Sequence, residues 1–148
     1  MNIDEAFEYY KLIKYNVQLD DVDLFDIECR QNEKFHDGEV PLRVTTGYRS
    51  KQLDQDTIEI FLRVTLDFEE KGPFYLKVTY RGVCSKRNEL DEDSFKQQAE
   101  SQTVPLLLPY VRECMSNTII RMGYSPYILP TMDILNSLAV NSNQQSEE

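Results

Sequence analysis

Six apolar residues at alternate positions restrict this chain more than any other feature: Ile58, Ile60, Leu62, Val64, Leu66 and Phe68, with Glu59, Arg63 and Asp67 between them. A period of two is that of a strand with one buried and one wet face, and at ~3.4 Å per residue the stretch spans roughly 37 Å. Glu69-Glu70-Lys71-Gly72-Pro73 reads as a turn. The same phase resumes with Phe74, Leu76, Val78 and Tyr80 against Tyr75, Lys77, Thr79 and Arg81. A hairpin with one long apolar face is not stable alone, so the rest of the chain must supply more strands and a layer to cover that face.

Further strands are expected before it. Ile13, Tyr15, Val17 and Leu19 fall on odd positions and Val22 and Leu24 on even ones, so a strand with a bulge or break at Asp20-Asp21 is expected over 13–24. The polar stretch Asp26 to Glu39 reads as a loop. Val40, Leu42 and Val44 form a second strand, placed at an edge by Pro41, and Gly47, Ser50 and Asp54-Gln55-Asp56 mark a turn. After Gly82 the pattern changes. Arg87 to Gln102 predicts a short surface helix capped by Asp91 or Asp93. Val111, Cys114, Met115, Thr118, Ile119 and Met122 then predict a second helix between Pro109 and Gly123. A final amphipathic segment runs through Ile134, Leu135, Leu138 and Ala139. The expected architecture is α+β: a meander-like four-stranded antiparallel sheet with helices packed on one face, one domain over 1–140 and a disordered polar tail over 141–148.

Composition removes several functions. Sixteen Lys and Arg against 26 Asp and Glu give a net charge of −10, which repels a phosphate backbone and argues against nucleic-acid binding. The longest apolar run, Val104 to Leu108, is broken by Pro105 and is far short of the ~20 residues of a membrane span. The acidic start Met1-Asn2-Ile3-Asp4-Glu5 is unlike an export signal, so a cytoplasmic protein is expected. Cys29, Cys84 and Cys114 are widely spaced, as in a reduced cytoplasmic protein, and His36 stands alone in a loop, so no metal site is expected. Cys114 on an apolar stripe reads as a structural thiol. No phosphate loop or nucleophile elbow occurs, and the carboxylates are spread along wet faces, so no enzyme is indicated.

The connection after Gly123 is unusual. Tyr124, Tyr127, Ile128, Leu129 and Met132 make it far more apolar than loops normally are. Such residues can pack over the sheet or into a subunit interface, or they can line an adaptable groove for unfolded chains. Leu106, Leu107, Val111 and Met115 on the preceding helix are expected at a subunit interface, because one sheet face cannot absorb every apolar stripe.

Leu107-Leu108-Pro109-Tyr110-Val111-Arg112-Glu113-Cys114, continued through Gly123, Pro126, Leu129 and Pro130, resembles the helix signature of the SecB family of export chaperones. Ile58 to Thr65 is similar to that family's long central strand, and its hairpin partner ends near Gly82. With the first strand, the resemblance covers about Tyr10 to Leu138. It implies an ATP-independent holdase without a cofactor, a homotetramer built as a dimer of dimers that holds unfolded or precursor polypeptides in apolar grooves. Carried onto this chain, it assigns Tyr124, Tyr127, Ile128, Leu129, Met132 and Leu135 to the groove. It also implies docking of the translocase motor SecA on the wet sheet face, here at Asp21, Tyr75 and Lys77. At two of the family's acidic docking positions this chain carries Phe25 and Lys77. Members of the family also serve as antitoxin chaperones in toxin-antitoxin systems, without motor docking.

Overall fold

The computed structural model describes residues 2–36, 38–69 and 71–129. The expected final segment over 134–139 and the tail over 141–148 lie outside these residues. The elements are α1 (Ile3–Asn16), β1 (Val17–Gln31), β2 (Leu42–Gln52), β3 (Thr57–Phe68), β4 (Phe74–Lys86) and α2 (Glu92–Arg121). The four strands form one antiparallel sheet in the order β1-β4-β3-β2. Strands β2, β3 and β4 are a meander, but β1 lies beside β4, so the chain crosses the end of the sheet between β1 and β2. This corrects the simple meander expected from sequence. The crossing is tied to the β3–β4 turn: Asn32 donates its backbone N–H to the Pro73 carbonyl at 2.8 Å and its side-chain amide to the Gly72 carbonyl at 3.0 Å.

The alternation along β3 and β4 acts as expected and extends farther. Ile58, Ile60, Leu62, Val64 and Leu66 of β3 and Leu76, Val78 and Cys84 of β4 are fully buried beneath α2. Helix α2 runs 30 residues, about 45 Å, where two shorter helices were expected. Pro105 and Pro109 lie inside it, and each lacks an N–H and costs about 3 kcal/mol in a helix interior. Val104, Leu107, Leu108 and Val111, all buried in the same two turns, each gain about 1.5–3 kcal/mol on burial and outweigh that cost. Asp91 is the N-cap, and Gly123, at φ +94°, ends the helix in the left-handed conformation as expected.

Three other expectations change. Residues 13–16 are helical, not extended. Helix α1 opens with a reciprocal cap, the Glu5 N–H donating to Asn2 Oδ1 at 2.8 Å and the Asn2 N–H to the Glu5 carboxylate at 3.2 Å. Asp26 to Gln31, taken as loop, continues β1, because these polar residues have partners across β4. Gly47 and Ser50, taken as turn, lie within β2; the turn comes at 53–56. The slip at Asp20-Asp21 does appear as a register shift between Leu19 and Asp21, and a second shift between Leu24 and Asp26 leaves Phe25 as the extra residue.

Leu107, Val111 and Met115 are fully buried against this chain's own sheet, so they cannot form the subunit interface expected of them. Only Leu106 of that set faces outward. The helix and the sheet approach closely at Gly82. A Cβ there would lie 2.7 Å from Thr103 Cγ2 and 3.1 Å from Leu19 Cδ1. Gly82→Ala is therefore expected to lower stability by about 1–3 kcal/mol in urea unfolding, whereas Gly38→Ala, where nothing lies within 4 Å but φ is +139°, tests backbone strain alone.

Candidate functional site

Helix α2 covers β3 and β4 but leaves the inner face of β1 half bare. On that face Leu24 lies opposite Tyr80, Ile27 opposite Val78 and Cys29 opposite Leu76. Leu24 and Ile27 are exposed, and Tyr80 stacks obliquely on Tyr110 of α2 with centroids 5.8 Å apart. The strip continues to the end of α2, where Cys29 Sγ lies 3.3 Å from Met122 Sδ. There it meets the apolar loop. Tyr124 packs on Phe74 at 5.5 Å, and Phe74 packs edge-on against Phe68 at 5.3 Å.

The loop is held at both ends. At its start the Gly123 N–H donates to the Ile120 carbonyl at 2.9 Å and the Tyr124 N–H to the Ile119 carbonyl at 3.2 Å. At its far end Leu129 is 1% exposed in the core, and its carbonyl accepts a hydrogen bond from Arg112 Nε at 3.2 Å. Between the two anchors Ile128 is 70% exposed, Tyr124 is exposed and Tyr127 is half-buried against the core. Of the residues assigned to a groove, Tyr124 and Ile128 are thus exposed and Tyr127 partly so, while Leu129 is an anchor in the core and not part of an open surface. Met132 and Leu135 lie outside the described residues. Ile27 escaped the sequence reading because Asp26 onward was taken as loop, and Leu24 was placed in the strand but not assigned to the site. Their signal was Leu24, Ile27 and Cys29 recurring at nearly alternate positions.

The other sheet face is wet and charged. Tyr75 and Lys77 neighbour each other on it, but Asp21 lies opposite Val83, six residues or about 20 Å farther along β4. The three share a face without forming one cluster. Lys77 Nζ lies 3.7 Å from an Asp26 oxygen and 3.3 Å from one of Glu28, so its charge is already matched. Arg30 sits over the Tyr75 ring at 4.9 Å. Asp21 Oδ1 accepts the Val22 N–H at 3.0 Å, inside the first register shift. Phe25 is 51% exposed and stands edge-on to Phe61 at 4.9 Å, an apolar contact on an otherwise polar face.

Among the described residues no group of three or more His, Cys, Asp and Glu is placed to hold a metal ion, and no helix is long and apolar enough to cross a membrane. Burial pushes the Cys84 thiol up to about 11 despite its contact with the Thr103 hydroxyl at 2.9 Å, and burial also raises Cys114. A thiolate is the reactive form, so alkylation of the native protein at neutral pH is expected to label exposed Cys29 first and to leave Cys84 unmodified until unfolding. Peptide mapping after a short pulse of iodoacetamide checks this order, and early labelling of Cys84 would contradict the packing described.

Comparison with known proteins fits this architecture. The family model of SecB, preprotein translocase subunit SecB, matches residues 31–146. The protein-export protein SecB of Neisseria gonorrhoeae is 30% identical over 114 residues, covering 76% of this chain and 74% of that one. That of Nitrosospira multiformis is 28% identical over 101 residues, covering 67% of this chain and 62% of its own length. Among solved structures, the SecB-like chaperone of Mycobacterium tuberculosis, determined in complex with a ChAD peptide from an antitoxin, aligns with a TM-score of 0.67 over 88% of this chain and 99% of that one, at 11% identity. At that identity the likeness establishes the fold alone.

Proposed function

Because the chain belongs to the SecB family, we propose that it is an ATP-independent holdase that binds unfolded polypeptide segments on the apolar strip and loop described above. The single observation that carries this reading is a loop anchored at Gly123 and Leu129 that holds Ile128 outward and leaves Tyr124 and part of Tyr127 uncovered beside it. Each large apolar side chain gains about 1.5–3 kcal/mol when fully covered, so several weak subsites together suffice to hold an extended client. Leu24 and Ile27 extend the surface along β1. Clients are unfolded precursors, or one dedicated protein; the antitoxin peptide carried by the mycobacterial fold relative motivates the second reading. The chemistry is binding alone, without a cofactor, and the setting is the cytoplasm.

Docking of a basic motor tail falls, on this reading, on the acidic row Asp21, Asp23, Asp26 and Glu28 of β1, with Lys77 neutralised inside it. The subunits of a homotetramer meet on the outer stripe of α2, where Leu106 and Ile120 lie on the side away from the sheet and remain exposed in the single chain. This replaces Leu107, Val111 and Met115 as the contact residues.

Two experiments test these proposals. In an aggregation assay with several unrelated unfolded clients, the wild-type chain is expected to protect all of them. The pair Tyr124→Ser/Ile128→Ser is expected to lose most of that protection while lowering stability by only about 1–2 kcal/mol, chiefly from the lost Tyr124–Phe74 contact. Protection of one client alone would favour the dedicated reading, and protection of none would remove the holdase. In sedimentation equilibrium at micromolar concentration, wild type is expected as a tetramer and Leu106→Glu as a smaller species; an unchanged tetramer would move the interface elsewhere.

A further inference from the structure

Strands β1 and β4 show how this sheet receives an acidic strand. On the wet face the carboxylates of β1 meet cations of β4: Arg81 donates from Nε and Nη2 to the two oxygens of Asp23 at 3.0 and 2.6 Å, and Lys77 lies between Asp26 and Glu28. Strand β2 carries the receiving half of the same arrangement, and among the described residues no strand lies along its outer edge. It is the outer member of the order β1-β4-β3-β2 and pairs only with β3 among the described residues.

Its wet face holds a row of cations. Gly47, Arg49 and Lys51 alternate along β2, and Arg63 of β3, which pairs with Gly47, reaches across it so that a Cβ at Gly47 would lie 3.4 Å from Arg63 Nη2. Three positive charges therefore follow one another at about 6.8 Å, the repeat of same-face side chains along a strand. Among the described residues none of the three forms an ion pair. Glu59, opposite Lys51 in register, approaches Arg81 at 3.9 Å instead, and Arg49 is held flat over the Phe61 ring at 3.9 Å. In a chain of net charge −10 this concentration of unmatched cations on one edge stands apart. The inner face of β2 is apolar at Leu42, Val44 and Tyr48, which pack against the core.

We propose that the free edge of β2 receives an extended segment of a partner protein with carboxylates at alternate positions and apolar residues between them, adding to the sheet as a fifth strand. Backbone pairing with the edge supplies affinity, and the row formed by Arg63, Arg49 and Lys51 selects acidic over basic segments. This surface is separate from the apolar strip on β1, so it stands whether or not the holdase reading does.

The test uses the full chain and a fluorescein-labelled ten-residue peptide of alternating Glu and Val, with alternating Lys and Val as comparator. The acidic peptide is expected to bind, to bind at least tenfold more weakly to Arg49→Gln/Lys51→Gln, and to slow amide hydrogen exchange across Leu42–Gln52. Circular dichroism and a melting curve on the variant show that its sheet is intact, and its aggregation protection is expected to match wild type. Equal binding of the basic peptide, an unaffected variant, or binding without protection of β2 amides would overturn the proposal. So would protection of β2 that grows with protein concentration alone, which would make a second copy of the chain the occupant.

Discussion

The apolar inner row of β3 and β4 has to be covered, and the rest of the structure follows from how that is done. Ile58, Ile60, Leu62, Val64 and Leu66 beside Leu76, Val78 and Cys84 form a face about ten residues long, and only a helix of matching length can close it. Helix α2 does so with Phe95, Ala99, Val104, Leu107, Leu108, Val111, Met115 and Ile119 at helical spacing. The approach at Gly82 brings Thr103 and Leu107 down onto β4, where a larger residue would hold the layers apart. A single helix of about 10 Å diameter cannot cover four strands at ~4.8 Å spacing, so β1 at one edge keeps exposed apolar side chains. The bare strip is a geometric consequence of the same burial that makes the fold stable.

Strand β1 must therefore be held by something other than a covering helix. Its backbone pairs along the whole of β4, and on the wet face its carboxylates meet Arg81 and Lys77. Each such exposed pair is worth only about 0.2–1 kcal/mol, so they set register more than they add stability. The two register shifts serve the same end. They let β1 twist along β4 and turn Phe25 onto the wet face against Phe61, so the apolar residues that follow return to the inner face. The Arg43–Asp67 pair does comparable work at the opposite side of the sheet. Two hydrogen bonds from Arg43 hold the Asp67 carboxyl below its ordinary range, so its small contribution is present at neutral pH and is lost as pH falls through that lowered value.

Where period-two burial decides the structure, the sequence could be read directly. The hairpin of β3 and β4, the bulge at Asp20-Asp21 and the glycine end of α2 at Gly123 are all legible in the residues themselves. What escaped is governed by partners distant in sequence. Asp26 to Gln31 look like loop until Lys77 and Tyr75 are placed beside them, and Pro105 and Pro109 look like helix boundaries until the burial of the neighbouring leucines is weighed against them. The cap of α1 was local and readable, since Asn2 and Glu5 stand three apart, but Tyr15 and Val17 carried the strand alternation across the junction. At the candidate site the resemblance to a family pointed to the loop, whereas the division of its residues into displayed and anchored ones needed the sheet beneath them.

That division has an energetic meaning. A binding surface made of side chains on an unconstrained loop loses about 0.5–1.5 kcal/mol of affinity for each one that must be immobilised when a client arrives. Here much of that ordering is completed on folding. Leu129 is drawn into the core, Arg112 fixes its carbonyl, and the turn at Gly123 fixes the other end, so Tyr124 and Ile128 are displayed from a frame that is already closed. The apolar side chains stay unspecific because they offer area without directional bonds, while the frame beneath them relies on directed bonds and close packing. An open apolar surface and a well-defined fold are compatible in this chain because different residues of one short loop carry them: Leu129 belongs to the fold, and Ile128 beside it stays exposed.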